Sequence, residues 1–191
     1  MNIFYLDENP ELAAQYHMDK HVIKMPLEMA QMLCTNIYIL NGLTSRTQSA
    51  KKENYESVLK MFHGFPPRET SPYPFYLFAF PNHPCTIWLR DSQANIKWGL
   101  ELFNALLKEY THRYGKNREL EKVYYWLMQN FPLDKIENTE FTKPAQAMPE
   151  TYMNENSVIA YRSYYMGDKR HIAKWKKREQ PSWWVQNNEN K

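Results

Sequence analysis

The pattern of apolar positions near the start of the chain predicts a long amphipathic helix. Asn9 followed by Pro10 is a typical helix start, with asparagine as the N-cap and proline at the first helical position. Pro26 lies inside the helical pattern, and because it removes a backbone donor it predicts a kink or a division into two segments. From the start to about Tyr38, apolar residues recur at helical spacing, namely Val22, Met25, Met29, Met32 and Leu33.

Three further helices are predicted from the rest of the apolar pattern. The longest covers about 86–114, and Gly115 follows it where a C-cap glycine belongs. A shorter helix covers 118–130 and stops before a proline. A final helix, capped by Ser157, runs to about residue 175. The chain is therefore predicted to be mainly α.

The stretches between these helices differ in character. Residues 2–6 could form one short N-terminal edge strand, and residues 40–54 are polar and predict an exposed connection. Residues 64–84 hold six prolines and many aromatic residues, which predicts an ordered, extended segment laid over the helices. Residues 132–156 are mostly loop. We expect a compact single-domain helical bundle over 1–186 and a disordered polar tail over 187–191.

Composition narrows the classes of function. The chain has 43% hydrophobic and 15% aromatic residues, too apolar for a disordered protein. Five glycines and the absence of GxGxxG or GxxxxGK[ST] argue against the usual dinucleotide and P-loop sites, and no cofactor is predicted. The two cysteines form no disulfide framework. With no signal peptide and no apolar run long enough for a span, we expect a cytoplasmic protein without a membrane partner.

The stretch HMDKHVIKMPLE, residues 17–28, concentrates ionisable side chains on one helical face. Helical spacing puts six side chains opposite the apolar stripe: His17, Lys20, His21, Lys24, Glu28 and Gln31. Asp19 lies off this face. One interpretation is a solvated face with an ordinary Lys24–Glu28 pair. Another is an active site in which a lysine amine acts as nucleophile and a carboxylate moves protons.

Metal binding is a third interpretation of the same face. His17 and His21 have the i, i+4 spacing of two ligands on one helical turn, as in HExxH, but the general-base glutamate of that motif is missing. A third ligand would have to come from elsewhere, for example His83 or Cys85. We therefore predict no metal among the site residues.

The stretch NHPCTIWLRDS, residues 82–92, forms a second cluster at the entry of the predicted long helix. Arg90 is a candidate phosphate ligand because guanidinium binds phosphate in bidentate fashion, and His83 is a second candidate for anion binding. A Cys85–His83 nucleophile pair is conceivable. A buried structural cysteine is the alternative that we favour.

The C-terminal stretch KRHIAKWKKR, residues 169–178, contains six Lys or Arg and no acid, although the whole protein has a net charge of only +3. Basic residues interleaved with aromatic ones are typical of nucleic-acid binding. Some of the neighbouring tyrosines fit a helix core instead. The predicted nucleic-acid contacts are Arg162, Lys169, Arg170, Lys174, Trp175, Lys176, Lys177 and Arg178.

Several segments resemble a family of small, mostly uncharacterised bacteriophage proteins. These are NPELAAQYHMDKHVIKMPLEMAQMLCT, NHPCTIWLRDSQANIKW, EYTHRYGK and AYRSYYMGDKRHIAKWKKREQPSWW, which occur in this order over most of the chain. The resemblance implies a phage origin and the cytoplasm of the infected host cell.

AAQYHMDKHVIKMPLE and YRSYYMGDK more distantly resemble phage pyrimidine-dimer DNA glycosylases of the endonuclease V type. That resemblance implies a compact all-α enzyme, with a catalytic glutamate on an early helix and a C-terminal segment that touches DNA. Residue 2 is Asn, not the threonine whose amine is the nucleophile in those enzymes. An ungapped comparison also places Lys24, not Glu28, at the catalytic glutamate.

Together these features predict a DNA-acting enzyme that works on a base. It would be a glycosylase, or a transferase that modifies an activated pyrimidine and takes a small-molecule co-substrate. The expected catalytic residues are His17, Lys20, His21, Lys24 and Glu28. The alternative from another class is a non-enzymatic DNA-binding or host-interaction protein.

Overall fold

The computed structural model describes residues 1–45, 55–67 and 75–185. They form seven α-helices: α1 Pro10–Tyr16, α2 Asp19–Leu40, α3 Tyr55–Met61, α4 Pro84–Asp91, α5 Gln93–Tyr114, α6 Leu120–Asn130 and α7 Ser157–Met166. Three single 3-10 turns occupy Leu133–Lys135, Glu150–Tyr152 and Arg170–Ile172. The prediction of a mainly α domain is confirmed. The predicted tail over 187–191 and most of the polar connection over 40–54 lie outside the described residues.

The two long helices, α2 and α5, form the centre of the bundle. They pack on each other, and α1, α4 and α6 pack around them. Gly99 on α5 allows a close approach of α4, because a Cβ atom at this position would lie 2.5 Å from Cδ2 of Leu89. The core is continuous and includes fully buried residues from both long helices, such as Met29, Leu33, Phe103 and Leu106.

Residues 2–6 are not a strand. They run as irregular chain through the core, where Ile3, Phe4, Tyr5 and Leu6 are all buried. No described strand lies beside them to complete a ladder, and Phe4 has a φ of 40°, outside the β region. The apolar run NIFYL therefore reflects burial, not strand formation.

The first helical pattern is interrupted nine residues before Pro26, not at it. His17 and Met18 have extended backbone, with ψ of 134° and 154°, and they separate α1 from α2. The His17 side chain contributes to this break, because its Nδ1 lies 2.6 Å from the Ala13 carbonyl oxygen. Pro26 sits inside the continuous helix α2, where it removes one backbone donor without ending the helix.

Two other helix boundaries differ from the predicted ones. The long pattern over 86–114 is divided at Ser92, whose extended backbone ends α4 and whose Oγ accepts from the Ala94 N–H at the start of α5. Helix α7 is capped by Asn156 and ends at Met166, so residues 167–175 are not α-helix but turn and loop, with one 3-10 turn at Arg170–Ile172. The C-cap at Gly115 is confirmed, with a φ of 71°.

The described parts of the proline- and aromatic-rich segment lie on the helices, as predicted. Phe65, Phe75, Tyr76 and Phe78 are buried. The Tyr38 hydroxyl on α2 donates to the Tyr76 carbonyl, and such hydrogen bonds fix extended chain to a helix. Residues 68–74 of this segment lie outside the described residues.

Candidate active site on helix α2

Glu28 is a buried carboxylate near the middle of α2. Its side chain is only 9% exposed, yet its Oε1 lies 2.8 Å from Nζ of Lys24, which is 64% exposed. Its other oxygen, Oε2, accepts from the Asn2 backbone N–H at 3.1 Å and lies 3.6 Å from the Met1 nitrogen. A charge taken from water is retained only when it is paired and hydrogen-bonded, and Glu28 meets both conditions.

The N-terminal segment, residues 1–6, covers this part of α2. Asn2 is held by its side chain, whose Nδ2 donates to the Ala147 carbonyl and whose Oδ1 accepts from the Phe4 N–H. The Phe4 ring stacks on the His21 imidazole with centroids 4.2 Å apart. A phenylalanine with positive φ is uncommon, and such backbone persists only where the surroundings determine it.

His21 and Tyr165 form a buried hydrogen-bonded pair. The His21 Nδ1 lies 2.5 Å from the Tyr165 hydroxyl. Burial raises the pKa of Tyr165 well above its ordinary value, so this hydroxyl keeps its proton and can donate to Nδ1. Burial, together with the nearby charges of Lys169 and Lys24, lowers the pKa of His21 to about 3. His21 is therefore a neutral imidazole near neutral pH.

His17 is also buried and neutral. Burial lowers its pKa to about 4. Because the Ala13 carbonyl can only accept, the Nδ1 of His17 carries the proton and Nε2 is left as an acceptor. That Nε2 atom is buried without a hydrogen-bond partner.

The six ionisable or polar side chains predicted to share one helical face are thus divided between the core and the surface. His17, His21 and Glu28 are buried, Gln31 is half-buried, and Lys20 and Lys24 are exposed. Along α2, the buried His21 imidazole is followed by the exposed Lys24 ammonium and the buried Glu28 carboxylate, and residues 1–6 contact both His21 and Glu28. A solvated face with an ordinary surface ion pair does not describe this arrangement.

Arg90 and His83 have structural partners. Arg90 Nη1 donates to the Pro81 carbonyl at 2.8 Å and to Asn36 Oδ1 at 3.3 Å. His83 is the N-cap of α4, and its Nδ1 accepts from the Cys85 N–H. Burial lowers the pKa of His83, while the negative charge of Glu28 raises it, so this ring lies within the field of the carboxylate. The predicted anion-binding role of Arg90 and His83 stays a prediction.

Cys85 fits the buried structural interpretation. It is fully buried, and burial raises the pKa of its thiol to about 11. A thiol with a raised pKa is a poor nucleophile near neutral pH.

The arginines of the C-terminal stretch hold it against the bundle. Arg162 pairs with Asp7 at 2.9 Å, and Arg178 pairs with Glu109 at 2.8 Å. Arg170 donates to the Met166 and Val185 carbonyls. Trp175 is buried and donates to the Tyr16 carbonyl, so its ring packs against the bundle, and its role as a nucleic-acid contact stays a prediction.

The lysines of the same stretch remain at the surface. Lys174, Lys176 and Lys177 are exposed, and Lys169 is half-buried over the Tyr164 ring. Residues 174–178 lie beside the start of α2, because the Lys174 carbonyl accepts from the Asp19 N–H and Asp19 Oδ1 accepts from the Lys176 N–H. The predicted basic segment and the predicted catalytic helix are therefore neighbours.

A buried ion network makes this junction. Arg113, fully buried, donates to Asp19 at 2.9 Å and to Glu109 at 2.7 Å, and Glu109 also accepts from Arg178. Burial raises the pKa of Glu109, but the hydrogen bonds from Arg178 and Arg113 lower it more. The i, i+4 spacing of Glu109 and Arg113 was visible in the sequence, whereas nothing there indicated that Asp19 and Arg178 would join them.

Two further searches covered the described residues, one for clusters of metal ligands and one for membrane-spanning helices. No cluster of three or more His, Cys, Asp or Glu side chains there could hold a metal ion. None of its helices combines the length and apolar character that a bilayer crossing requires.

Comparisons with protein-family models, with curated proteins and with solved structures found no match to this chain.

Proposed function

We propose that the chain is a DNA-acting enzyme that works on a base, with Lys24 and Glu28 at its centre. The observation that carries this proposal is the 2.8 Å contact between an exposed lysine and a buried carboxylate. An ordinary helix-surface pair has both groups in water and little geometric constraint. Here the carboxylate is fixed by Asn2 and only the amine is accessible to a large substrate.

In the glycosylase form of the proposal, Glu28 accepts a proton from the Lys24 ammonium and frees the amine. The amine attacks the sugar C1′, the glycosidic C–N bond breaks, and the base leaves with the bonding pair and takes up a proton. Opening of the sugar ring then gives an iminium between Lys24 and C1′. A base in a duplex must first be flipped out of the stack. Lys174, Lys176 and Lys177 supply positive charge for the phosphates.

The transferase form uses the same exposed lysines differently. Lys20, like Lys24, points a cation to solvent, and Lys20 has no ion-pair partner among the described residues. Cations so placed stabilise the charge of a departing phosphate when an activated pyrimidine is substituted. This form also requires a small-molecule co-substrate.

Reductive trapping tests the glycosylase form. The full chain is incubated with duplexes carrying damaged or modified pyrimidines, borohydride is added, and the adduct is mapped by peptide mass spectrometry. We expect a covalent adduct on Lys24, its loss in Lys24→Ala, and a rate lower by a factor of about 100 or more in Glu28→Gln. Lys97→Ala, an exposed lysine on α5, is the matched control and should trap like the unmodified chain.

An adduct on any other amine would contradict the role of Lys24. Absence of an adduct with every duplex would exclude the glycosylase form, and mass spectrometry of the treated DNA bases then tests transfer. A non-enzymatic binding protein would give neither a trapped adduct nor a modified base. Its Lys24→Ala and Glu28→Gln variants would change the DNA affinity or have no effect.

A further inference from the structure

A cleft between α2, α5 and α6 lies outside the site described above. Its volume is about 560 Å³, which is within the usual range for small-molecule sites. Leu27 of α2 lines it, together with residues 116–120, 122 and 123, which lead from the end of α5 into α6. None of the predicted site residues lines this cleft.

Positive charge dominates the cleft. Among the described residues, Lys116, Arg118 and Lys122 line it, against one acid, Glu119. Lys116 and Lys122 are exposed, so their ammonium groups can move to meet a ligand. This combination favours an anion with more than one charged oxygen.

Arg118 is the least exposed of these three cations. Its guanidinium is half-buried, donates to the Ile23 carbonyl and lies 5.0 Å from the centre of the Tyr110 ring. Arg113, Arg162 and Arg178 each pair with a carboxylate, but Arg118 has no such partner among the described residues. A half-buried cation without a counter-ion, held in a fixed orientation, is suited to bind phosphate oxygens.

The rest of the lining is mostly apolar or aromatic. It consists of Leu27, Pro66, Pro67, Tyr76, Tyr110, Leu120 and Val123, together with the polar Asn117. Such surfaces suit a planar ring, because burying its faces releases water without leaving polar groups unpaired. The cleft therefore offers charge for a phosphate and apolar surface for a ring.

We propose that this cleft binds a nucleotide, with the phosphate at Arg118, Lys116 and Lys122 and the base against the apolar walls. Leu27 follows Lys24 by one helical turn, so the cleft opens beside the candidate active site. The nucleotide is either free or part of a bound DNA strand. The inference goes beyond the proposed base chemistry, since the cleft can be occupied whether or not Lys24 is a nucleophile.

Calorimetric titration of the full chain tests this proposal. Thymidine monophosphate, ribose phosphate and a single-stranded thymidine oligonucleotide are the probes. We expect thymidine monophosphate to bind more tightly than ribose phosphate, which lacks the ring. Arg118→Gln should weaken binding of the nucleotide about tenfold or more. Lys116→Gln with Lys122→Gln should weaken it several-fold, and Lys97→Gln should leave it unchanged.

The double lysine variant keeps the test valid if Arg118→Gln disturbs the fold, since both lysines are exposed. If the affinity for thymidine monophosphate depends on these residues, the cleft binds a free nucleotide. If only the affinity for the oligonucleotide depends on them, the cleft binds part of a DNA strand. If neither probe depends on Arg118, Lys116 and Lys122, or if Lys97→Gln weakens binding equally, the proposal is wrong. Lys24→Ala should keep nucleotide affinity, which separates this test from that of the base chemistry.

Discussion

At the scale of single residues, the two buried histidines of the α2 region connect stability to pH. Their folded-state pKa values are about 4 for His17 and about 3 for His21, mainly because of burial. An unfolded histidine has a pKa near 6.5, so the unfolded chain binds more protons in the interval between these values. Their contribution to stability is therefore complete above about pH 6.5 and is lost as the pH falls toward their folded-state values.

We predict that the free energy of unfolding falls by about 2 kcal/mol for each of these histidines between neutral pH and about pH 5. Urea unfolding followed by circular dichroism across this range measures the effect. The double variant His17→Gln/His21→Gln should show a much flatter pH dependence, whereas His171→Gln, at an exposed position, should not. The stability contributed by Glu109, whose pKa is lowered, is complete above about pH 4.5 and is lost only below it, outside this range. An equal slope of the free energy of unfolding against pH in all variants would contradict this prediction.

The types of the candidate site residues could be predicted, but their environments could not. Helical spacing correctly puts Lys24 one turn before Glu28, because that depends only on local geometry. The burial of Glu28 and His21 depends on residues 1–6, which lie over α2 through hydrogen bonds with residues far along the sequence. No local pattern in NIFYL indicates that its aromatic ring stacks on an imidazole.

At the scale of elements, the basic segment over 174–178 is an irregular loop held by specific bonds. Arg178 donates to both oxygens of the buried Glu109, and the Lys176 N–H donates to Asp19. The Arg178 side chain therefore holds the segment against the bundle, while the lysine side chains of the segment remain exposed. The final helix was predicted to run to about residue 175, but it ends at Met166, well before this segment.

Arg178→Gln should lower the free energy of unfolding by about 2 kcal/mol, because it removes charge-assisted hydrogen bonds to a buried carboxylate. Urea unfolding at neutral pH measures the loss. Lys108→Gln is the matched control on α5, since Lys108 is exposed and reaches Glu11 only at 4.0 Å. An unchanged midpoint for Arg178→Gln would show that the segment is not held in this way.

The helix boundaries show which starts and ends of helices the sequence could predict. Gly115 and Asn9 are end signals that act locally, and both function as predicted. The breaks at His17 and Ser92 lie at completely buried residues inside the apolar pattern. A histidine or serine inside an apolar repeat is compatible with continuous helix, so periodicity alone cannot identify such breaks.

At the scale of the whole molecule, exposed positive charge lies on adjoining surfaces. Lys174, Lys176 and Lys177 adjoin the start of α2, and Lys20 and Lys24 follow along that helix. A net charge of +3 conceals this asymmetry. The basic stretch could be recognised from composition, but its position beside α2 required the fold.

We predict that the variant with Lys174, Lys176 and Lys177 all changed to Glu binds duplex DNA more weakly and with a smaller salt dependence. The slope of log K against log salt should decrease in magnitude by about 0.9 for each DNA phosphate that the variant no longer neutralises. Fluorescence anisotropy at several salt concentrations measures the slope. The same number of charge reversals at Lys60, Lys97 and Lys143 is the matched control, with identical net charge. An equal slope of log K against log salt in the two variants would show that DNA does not bind at Lys174, Lys176 and Lys177.

The N-terminal and C-terminal thirds of this chain also interlock, with a consequence for its synthesis. Asn2 donates to Ala147, Arg162 to Asp7 and Trp175 to Tyr16, contacts that span 145 to 159 positions. A growing chain on the ribosome therefore exposes its first helices long before their partners have been translated. Contacts of such high sequence separation slow folding, and we expect the native packing around Glu28 to form only after synthesis reaches the tryptophan-rich end.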